Sequence, residues 1–199
     1  LQRMGVEAVA SFSVSQPRPG ITSNVLGLLP GNDPALGRET IILGAHYDHV
    51  GDDPDGLFCD GLSVGVAAFD ATNNACERMP GLRYSGANDD ASGVALLLEL
   101  ARLWQETGYV PQRPIIFAAW DAQELGQIGS SFYVEQAGDN LPATMIQFDG
   151  VGGGSGYYLT LEATWAEAGM VMYGMDTGEG LVDGRLKMTV PTGVSDHLP

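Results

Sequence analysis

The chain has 199 residues, of which 44% are hydrophobic, and this is enough for the core of one large domain. Nine basic residues are outnumbered by twenty-five acidic ones, and the formal charge of −16 argues against nucleic acid and anionic membranes as partners. No apolar run approaches the ~20 residues that a membrane span requires. The oligomeric state has no signature in the sequence.

Residues 21–29 and 39–45 form the first two predicted strands, because apolar and β-branched residues dominate both. The gap between them is short, which predicts an antiparallel hairpin. The second strand leads directly into His46, Asp48 and His49. Two of the chain's three histidines therefore stand at the end of one strand.

Residues 51–85 are irregular, and we interpret them as an insertion over a site rather than a separate domain. They contain both cysteines of the chain, Cys59 and Cys76. If paired, these would close a short loop worth about 3 kcal/mol in the chain-entropy model. A bridge would imply an oxidising compartment and hence a secreted or periplasmic protein, but two free thiols remain an open alternative.

An amphipathic helix is predicted over residues 94–104, whose apolar residues fall on one face, and Gly108 ends it. Asn88, Asp89 and Asp90 precede the helix and are of the types that favour helix caps. One of the three can cap the helix while another has a different role.

Residues 115–120 are an unbroken apolar run, typical of a strand buried on both faces of a parallel sheet. Polar residues follow, and a helical pattern then continues through residues 125–137. In open α/β sheets, ligands collect at the carboxyl ends of the strands. Gln123 and Glu124 therefore lie where a site is expected.

Three further strands are predicted at residues 144–148, 157–161 and 186–190. The first of them ends at Asp149, and the sequence stops two residues after His197. Because this ending is abrupt, we expect the C-terminus to be truncated.

Candidate side chains for chemistry fall at predicted strand ends and helix starts, which strand–helix alternation would bring to one edge of the sheet. Imidazole with carboxylate and no thiolate is the ligand set of hydrolytic rather than structural zinc. An acid two residues beyond His46 is well placed to accept from its second ring nitrogen. A carboxylate between two metals can hold a water and lower its pKa, although the number of metals stays open at this point. The candidates are His46, Asp48, Asp89, Glu124, Asp149 and His197.

Five motifs in register resemble the co-catalytic zinc aminopeptidase family, which includes bacterial leucyl-type aminopeptidases and, more distantly, glutamate carboxypeptidases. The resemblance runs from about Asn24 to the end of the chain. It implies an α/β fold with a mixed, mainly parallel sheet of about eight strands sandwiched by helices. It also implies a single catalytic domain over residues 1–199, with the insertion at about 51–85. The motifs are Gly44-Ala-His46-Tyr-Asp48-His, residues 86–93, Gln123-Glu124-Leu-Gly, Asp149 and Ser195-Asp-His197.

The resemblance implies two zinc ions and assigns their ligands. His46 and Asp149 would bind one ion, and Glu124 and His197 would bind the other. Asp89 would bridge the two ions. The implied activity is that of an exopeptidase of the aminopeptidase type, which hydrolyses the terminal bond of a peptide substrate by a zinc-bound water.

Two positions carry the remaining implied roles. Asp48 would hold the ring of His46 through its second nitrogen. The family has two adjacent glutamates before Leu-Gly, and the first is the general base, but Gln123 occupies that position here. A carboxamide cannot act as a base. The loss of a general base typically lowers the rate by about 10²–10⁴-fold. The sequence therefore predicts intact metal binding with crippled hydrolysis.

Three explanations of Gln123 are open: a substitution introduced to trap substrate, a natural non-catalytic peptide-binding pseudo-enzyme, or a base supplied by another group such as Asp121. A further alternative is a glutaminyl-cyclase-like acyltransferase, a relative that keeps one zinc on a similar fold. The retained pair of His46 and Asp149 favours two metals and argues against it.

Overall fold

The structure is a computed structural model of the chain. It describes the side chains of residues 20–53 and 81–152, and the backbone alone of 9–14, 69–70, 75–76, 158–162 and 185–189. His197 and Cys59 lie outside these ranges, as does the side chain of Cys76. What the sequence predicts for the fifth metal ligand and for the disulfide therefore stays a prediction.

Strands are more numerous than helices in the described part of the chain. The helices are α1 (Ala91–Thr107) and α2 (Ile128–Ala137). The strands are β1 (Val9–Val14), β2 (Gly20–Leu29), β3 (Ile41–His46), β4 (Gly51–Asp53), β5 (Phe69–Asp70), β6 (Ala75–Cys76), β7 (Leu82–Tyr84), β8 (Ile115–Trp120), β9 (Thr144–Gln147), β10 (Tyr158–Glu162) and β11 (Arg185–Thr189).

The main sheet is mixed, as the family resemblance implies. Within the described ranges it has five strands in the order β1-β2-β8-β3-β9. The strands β8, β3 and β9 run parallel, whereas β2 is antiparallel to both β1 and β8. The pairs β4–β7, β5–β6 and β10–β11 each form a two-stranded sheet. A total of about eight strands and a mainly parallel character stay predictions.

The predicted hairpin between the strands at residues 21–29 and 39–45 is wrong. The strand β8 lies between β2 and β3, which therefore share no hydrogen bonds. The connection between β2 and β3 bonds instead to the segment that leads into β8. The amide of Asn32 donates to the carbonyl of Pro111 at 2.9 Å, and the amide of Ile41, the first residue of β3, donates to the carbonyl of Pro114 at 2.9 Å. The short connection between β2 and β3 therefore joins two strands that have β8 between them.

Helices cover both faces of the central strands. Alternate side chains of a strand point to opposite faces, so Leu43 packs in a cluster with Leu97 of α1, whereas Ile42 and Trp120 pack with Tyr133 of α2. The predicted arrangement of a sheet between helices is confirmed for this part of the chain.

Helix α1 is capped at both ends as its sequence predicts. The carboxylate of Asp90 accepts a hydrogen bond from the amide of Gly93 at 3.1 Å, and Gly108 ends the helix in the left-handed conformation with a φ of 67°. Asp90 is therefore the capping member of the acidic pair, which leaves Asp89 for another role. Neither described helix is long and apolar enough to cross a membrane.

Candidate metal centre

The parallel register of β3, β8 and β9 brings their carboxyl ends to one edge of the sheet. His46, the last residue of β3, is paired with Trp120, the last residue of β8. The amide of Tyr47 then donates to the carbonyl of Trp120 at 2.9 Å, so the segments that follow β3 and β8 leave the sheet side by side. Asp149 follows β9, which pairs with β3 on its other side.

Two predicted ligands, Asp89 and Asp149, lie close to a third, His46. We call these three residues the His46 group. The imidazole is buried, with 2% of its side chain exposed. Its Nε2 atom lies 2.9 Å from Oδ1 of Asp89 and 3.9 Å from Oδ1 of Asp149. One imidazole nitrogen thus faces two carboxylates from two different loops.

A second set of ligand atoms lies beside the first, and we call it the His49 group: His49, Asp89 and Glu124. One ligand atom from each of the three lies within 4.8 Å of those of the other two. The Nδ1 atom of His49 is 2.6 Å from Oε1 of Glu124. Asp89 belongs to both groups, and four of the five predicted metal ligands therefore converge.

Sequence reasoning assigned no role to His49. The family resemblance places ligands at His46, Asp89 and Glu124 and passes over His49. A signal was present, because His49 is one of only three histidines and stands at the strand end that carries His46. Its nearness to Glu124 depends on the pairing of β3 with β8, which local sequence patterns do not encode.

Asp48 ties the two chain segments together. Its Oδ1 atom accepts from the amide of Gln123 at 3.0 Å, and its Oδ2 atom accepts from the amide of Glu124 at 3.2 Å. The Nδ1 atom of His46 lies 3.1 Å from the carbonyl oxygen of Asp48 and 3.6 Å from its Oδ1 atom. Asp48 therefore orients the imidazole mainly through its backbone, while its carboxylate fixes the backbone beneath Gln123 and Glu124.

The turn that carries Gln123 is sharply bent and held from both sides. Ala122 is buried and adopts a positive φ of 56°, a region that costs an L-residue about 1–2 kcal/mol. The buried side chain of Asn24 accepts from the amide of Asp121 at 3.1 Å and donates to the carbonyl of Gly129 at 2.7 Å. Gln123 is itself buried, and its Oε1 atom has no hydrogen-bond partner among the described residues.

Asp121 is engaged away from these groups. Its Oδ2 atom lies 2.7 Å from the hydroxyl of Tyr47, and its Oδ1 atom accepts from the amide of Ala122 at 2.8 Å. Burial, followed by the hydrogen bond to Asp121, raises the pKa of Tyr47 to about 12, so the phenol stays protonated. These contacts weaken the case for Asp121 as a replacement base.

Asp90 connects three backbone segments at the floor of the site. It is 1% exposed and accepts from the amides of His46 at 3.0 Å, Gly93 at 3.1 Å and Gly150 at 3.2 Å. Burial raises the pKa of Asp90 to about 7, although His46 opposes the shift. Through its hydrogen bonds to the amides of His46 and Gly150, the carboxylate positions both the His46 backbone and the loop of Asp149.

Asp90→Ala should lower the free energy of unfolding by on the order of 3–5 kcal/mol, because two buried amides and one partly buried amide would lose their acceptor at about 1–3 kcal/mol each. Thermal and urea unfolding would measure this loss. Asp52→Ala is the matched control, since its carboxylate is 70% exposed and pairs with the exposed side chain of Arg83. A loss below about 1 kcal/mol for Asp90→Ala would contradict the structural role.

The chemistry of the His46 group fits a divalent cation. Burial lowers the pKa of His46, but Asp48, Asp89, Asp149 and Asp90 outweigh it and raise the pKa to about 11. A hydrogen bond to His46 in turn lowers the pKa of Asp89. The imidazolium thus supplies the positive charge that these carboxylates require when no metal supplies it.

Zinc binding should therefore release a proton from His46, because only neutral imidazole is a ligand. The pKa is raised, so the proton is present at neutral pH and the apparent zinc affinity should rise about tenfold per pH unit between pH 6 and 8. Calorimetry in buffers of different protonation enthalpy would count the protons. In His46→Gln this release should disappear, and the same count in both proteins would refute the assignment.

An α/β sheet whose strand ends carry two adjoining imidazole–carboxylate groups offers a set of donors that suits divalent cations. The chain matches the sequence profile of Peptidase family M28 over residues 24–190, and it belongs to that family.

Curated relatives include proteins named as enzymes and one named as inactive. Leupeptin-inactivating enzyme 1 of Streptomyces exfoliatus is 35% identical over 130 residues, which are 58% of this chain and 26% of the relative. A glutamate carboxypeptidase 2 homolog of Caenorhabditis briggsae is 34% identical over 57% of this chain and 18% of its own length. An inactive zinc metalloprotease of Schizosaccharomyces pombe is 32% identical over 32% of this chain and 9% of its own. The matched segments are thus at most about a quarter of these relatives.

Solved structures share the fold. BSAP, a zinc aminopeptidase from Bacillus subtilis, aligns with a TM-score of 0.56 at 24% identity, over 89% of this chain and 36% of its own. A glutaminyl cyclase from an Acidobacteriales bacterium aligns with a TM-score of 0.64 at 17% identity, over 96% of this chain and 59% of its own. The architecture therefore matches proteins with two different activities, and the site has to distinguish between them.

Proposed function

We propose that the protein is a zinc-dependent exopeptidase of the aminopeptidase type, with its general-base position occupied by Gln123. The observation that carries the proposal is the convergence of His46, Asp89, Glu124 and Asp149 at one edge of the sheet. Membership of Peptidase family M28 supports it. The full sheet of about eight strands and a secreted or periplasmic location remain part of the proposal.

Two zinc ions are the proposed cofactors. His46 and Asp149 would hold one, Glu124 and His197 the other, and Asp89 would be shared. The shared role is supported by the contact of Asp89 with His46 at 2.9 Å and by its membership of the His49 group. When bound, the ions would supply Lewis-acid polarisation of the scissile carbonyl and a water of lowered pKa.

The chain's own residues would bind and orient the substrate but lack a proton acceptor at position 123. Asp48 holds the backbone amides of Gln123 and Glu124, so the side chain of residue 123 starts from a fixed point. The proposed substrate is a peptide with a free amino terminus, a cation that the carboxylates at the site would attract. Hydrolysis by this sequence should consequently be slow or absent.

A natural non-catalytic peptide binder is the second candidate, and Gln123 is the observation that favours it. Such a protein would keep the metal ligands and the peptide site but need no base. A glutaminyl-cyclase-like acyltransferase is a weaker candidate, because the likeness to that class is one of fold and the ligand atoms here form two groups rather than one.

The reaction class is tested with the full chain carrying Gln123→Glu. An aminopeptidase would cleave aminoacyl anilides with a free amino group and leave the N-acetylated forms intact. Cleavage of the N-acetylated forms, or release of residues from a peptide's carboxyl end, would contradict the aminopeptidase type. Formation of pyroglutamate from peptides with N-terminal glutamine would identify the acyltransferase instead.

A further inference from the structure

The motifs assign no role to His49, yet its imidazole lies close to two proposed ligands, Glu124 and Asp89. Its side chain is 12% exposed, and its Nδ1 atom is 2.6 Å from Oε1 of Glu124. Ligand atoms of His49, Glu124 and Asp89 all lie within 4.8 Å of one another. One imidazole and two carboxylates at this spacing form a set of donors that suits zinc.

The ring of His49 is held in this place by its surroundings. A Cβ atom at Gly86 would come within 2.9 Å of Cβ and 3.0 Å of Cγ of His49, so the absence of a side chain at Gly86 makes room for the imidazole. The ring of Tyr84 stands edge-on to it, with centroids 6.3 Å apart. Two residues from outside the metal groups thus orient the imidazole.

We propose that His49 is a ligand of the second metal ion, together with Glu124 and the shared Asp89. This inference rests on the proposed two-metal function and adds a ligand that the resemblance does not assign. The imidazole contributes a neutral nitrogen donor where carboxylates otherwise predominate, so the ion gains a bond without a further negative charge. A role confined to orienting Glu124 by a hydrogen bond is the competing interpretation.

His49→Asn separates ligation from orientation, because the asparagine amide places a hydrogen-bond donor near the position of Nδ1 but is a poor zinc ligand. The full chain is stripped of metal and titrated with zinc, and with cobalt followed by its visible absorption. We expect the second ion to bind at least about 100-fold more weakly, beyond the 10–100-fold that an outer hydrogen-bonding partner costs. The first ion should bind as before, and circular dichroism should report an unchanged fold.

Gly86→Ala provides a second test, because its new Cβ would meet Cβ and Cγ of His49 at 2.9 and 3.0 Å and, less closely, the carbonyl oxygen of Asp89 at 3.2 Å. It should weaken binding of the second ion more than binding of the first. Gly81→Ala is the matched control: Gly81 also has a positive φ, of 82°, but no heavy atom of the described residues lies within 4 Å of the position that its new Cβ would take, so metal binding should not change. Equal effects of the two substitutions would overturn the proposal.

The outcomes separate this inference from the proposed function. If the parent chain binds two ions and His49→Asn reduces the affinity for the second by less than 100-fold, the ligand role of His49 is refuted while the proposed function stands. If the parent binds no second ion, the two-metal proposal fails and the role of His49 fails with it.

Discussion

Replacing Gln123 by glutamate is expected to raise kcat for the hydrolysis of aminoacyl anilides by about 10²–10⁴-fold. The carboxylate would restore a proton acceptor at the position where the resemblance implies one, whereas KM should change little because the two side chains have nearly the same shape. Steady-state kinetics of the parent and Gln123→Glu across pH 5–9 would measure the gain. The variant should show an acidic limb in its pH–rate profile that reports the new carboxylate.

The metal frame should be unaffected by this substitution. The backbone amides of Gln123 and Glu124 donate to Asp48 whatever side chain occupies position 123, and the Oε1 atom of Gln123 has no hydrogen-bond partner to lose among the described residues. Metal content measured by mass spectrometry should therefore be equal in the two proteins.

Gln127→Glu is the matched control, because it makes the same chemical change four residues away, at the start of α2. It should leave the rate at the parent level. Asp121→Asn in the parent tests the replacement base and should also leave any residual rate unchanged. A Gln123→Glu variant that holds its metal and remains inactive would instead support the non-catalytic binder.

Asp89→Asn should produce the second large effect, a loss of about 10³-fold or more in the rate of the Gln123→Glu enzyme. Asp89 contacts His46 and belongs to the His49 group, so its charge serves both proposed ions. Removing several kcal/mol of metal-derived stabilisation corresponds to roughly this factor at about 1.4 kcal/mol per tenfold.

Metal analysis should accompany the kinetics, and Asp89→Asn should retain at most one ion. Asp52→Asn serves as the control for a lost carboxylate, since Asp52 belongs to neither group and is largely exposed. Two retained ions with an undiminished rate would show that Asp89 is not shared between them.

The parts of the fold that the sequence predicts best are those with a strong local pattern. The apolar run at residues 115–120 became the central strand β8, buried by both neighbours. One of the three cap candidates, Asp90, begins α1, and the predicted stop at Gly108 ends it. Strand ends were therefore placed well, and with them most of the candidate ligands. The family resemblance then supplied roles that periodicity alone could not.

Features that depend on distant pairing could not be predicted in this way. The order of strands is decided by which backbones meet, so a short loop between β2 and β3 gave no warning that β8 lies between them. The same pairing brings His49 next to Glu124, 75 positions later in the chain. The use of the Asp48 carboxylate for backbone amides likewise depends on the meeting of two loops.

The clamp that Asp48 places on the backbone of Gln123 has an evolutionary consequence. Codons for glutamine and glutamate differ at a single base, and the clamp makes the ligand frame independent of which of the two is present. Under the proposed function, a gene for such a chain can therefore pass between a hydrolase and a receptor for the same peptides in one mutational step. Lineages of this fold should accordingly lose and regain turnover more readily than they lose metal binding.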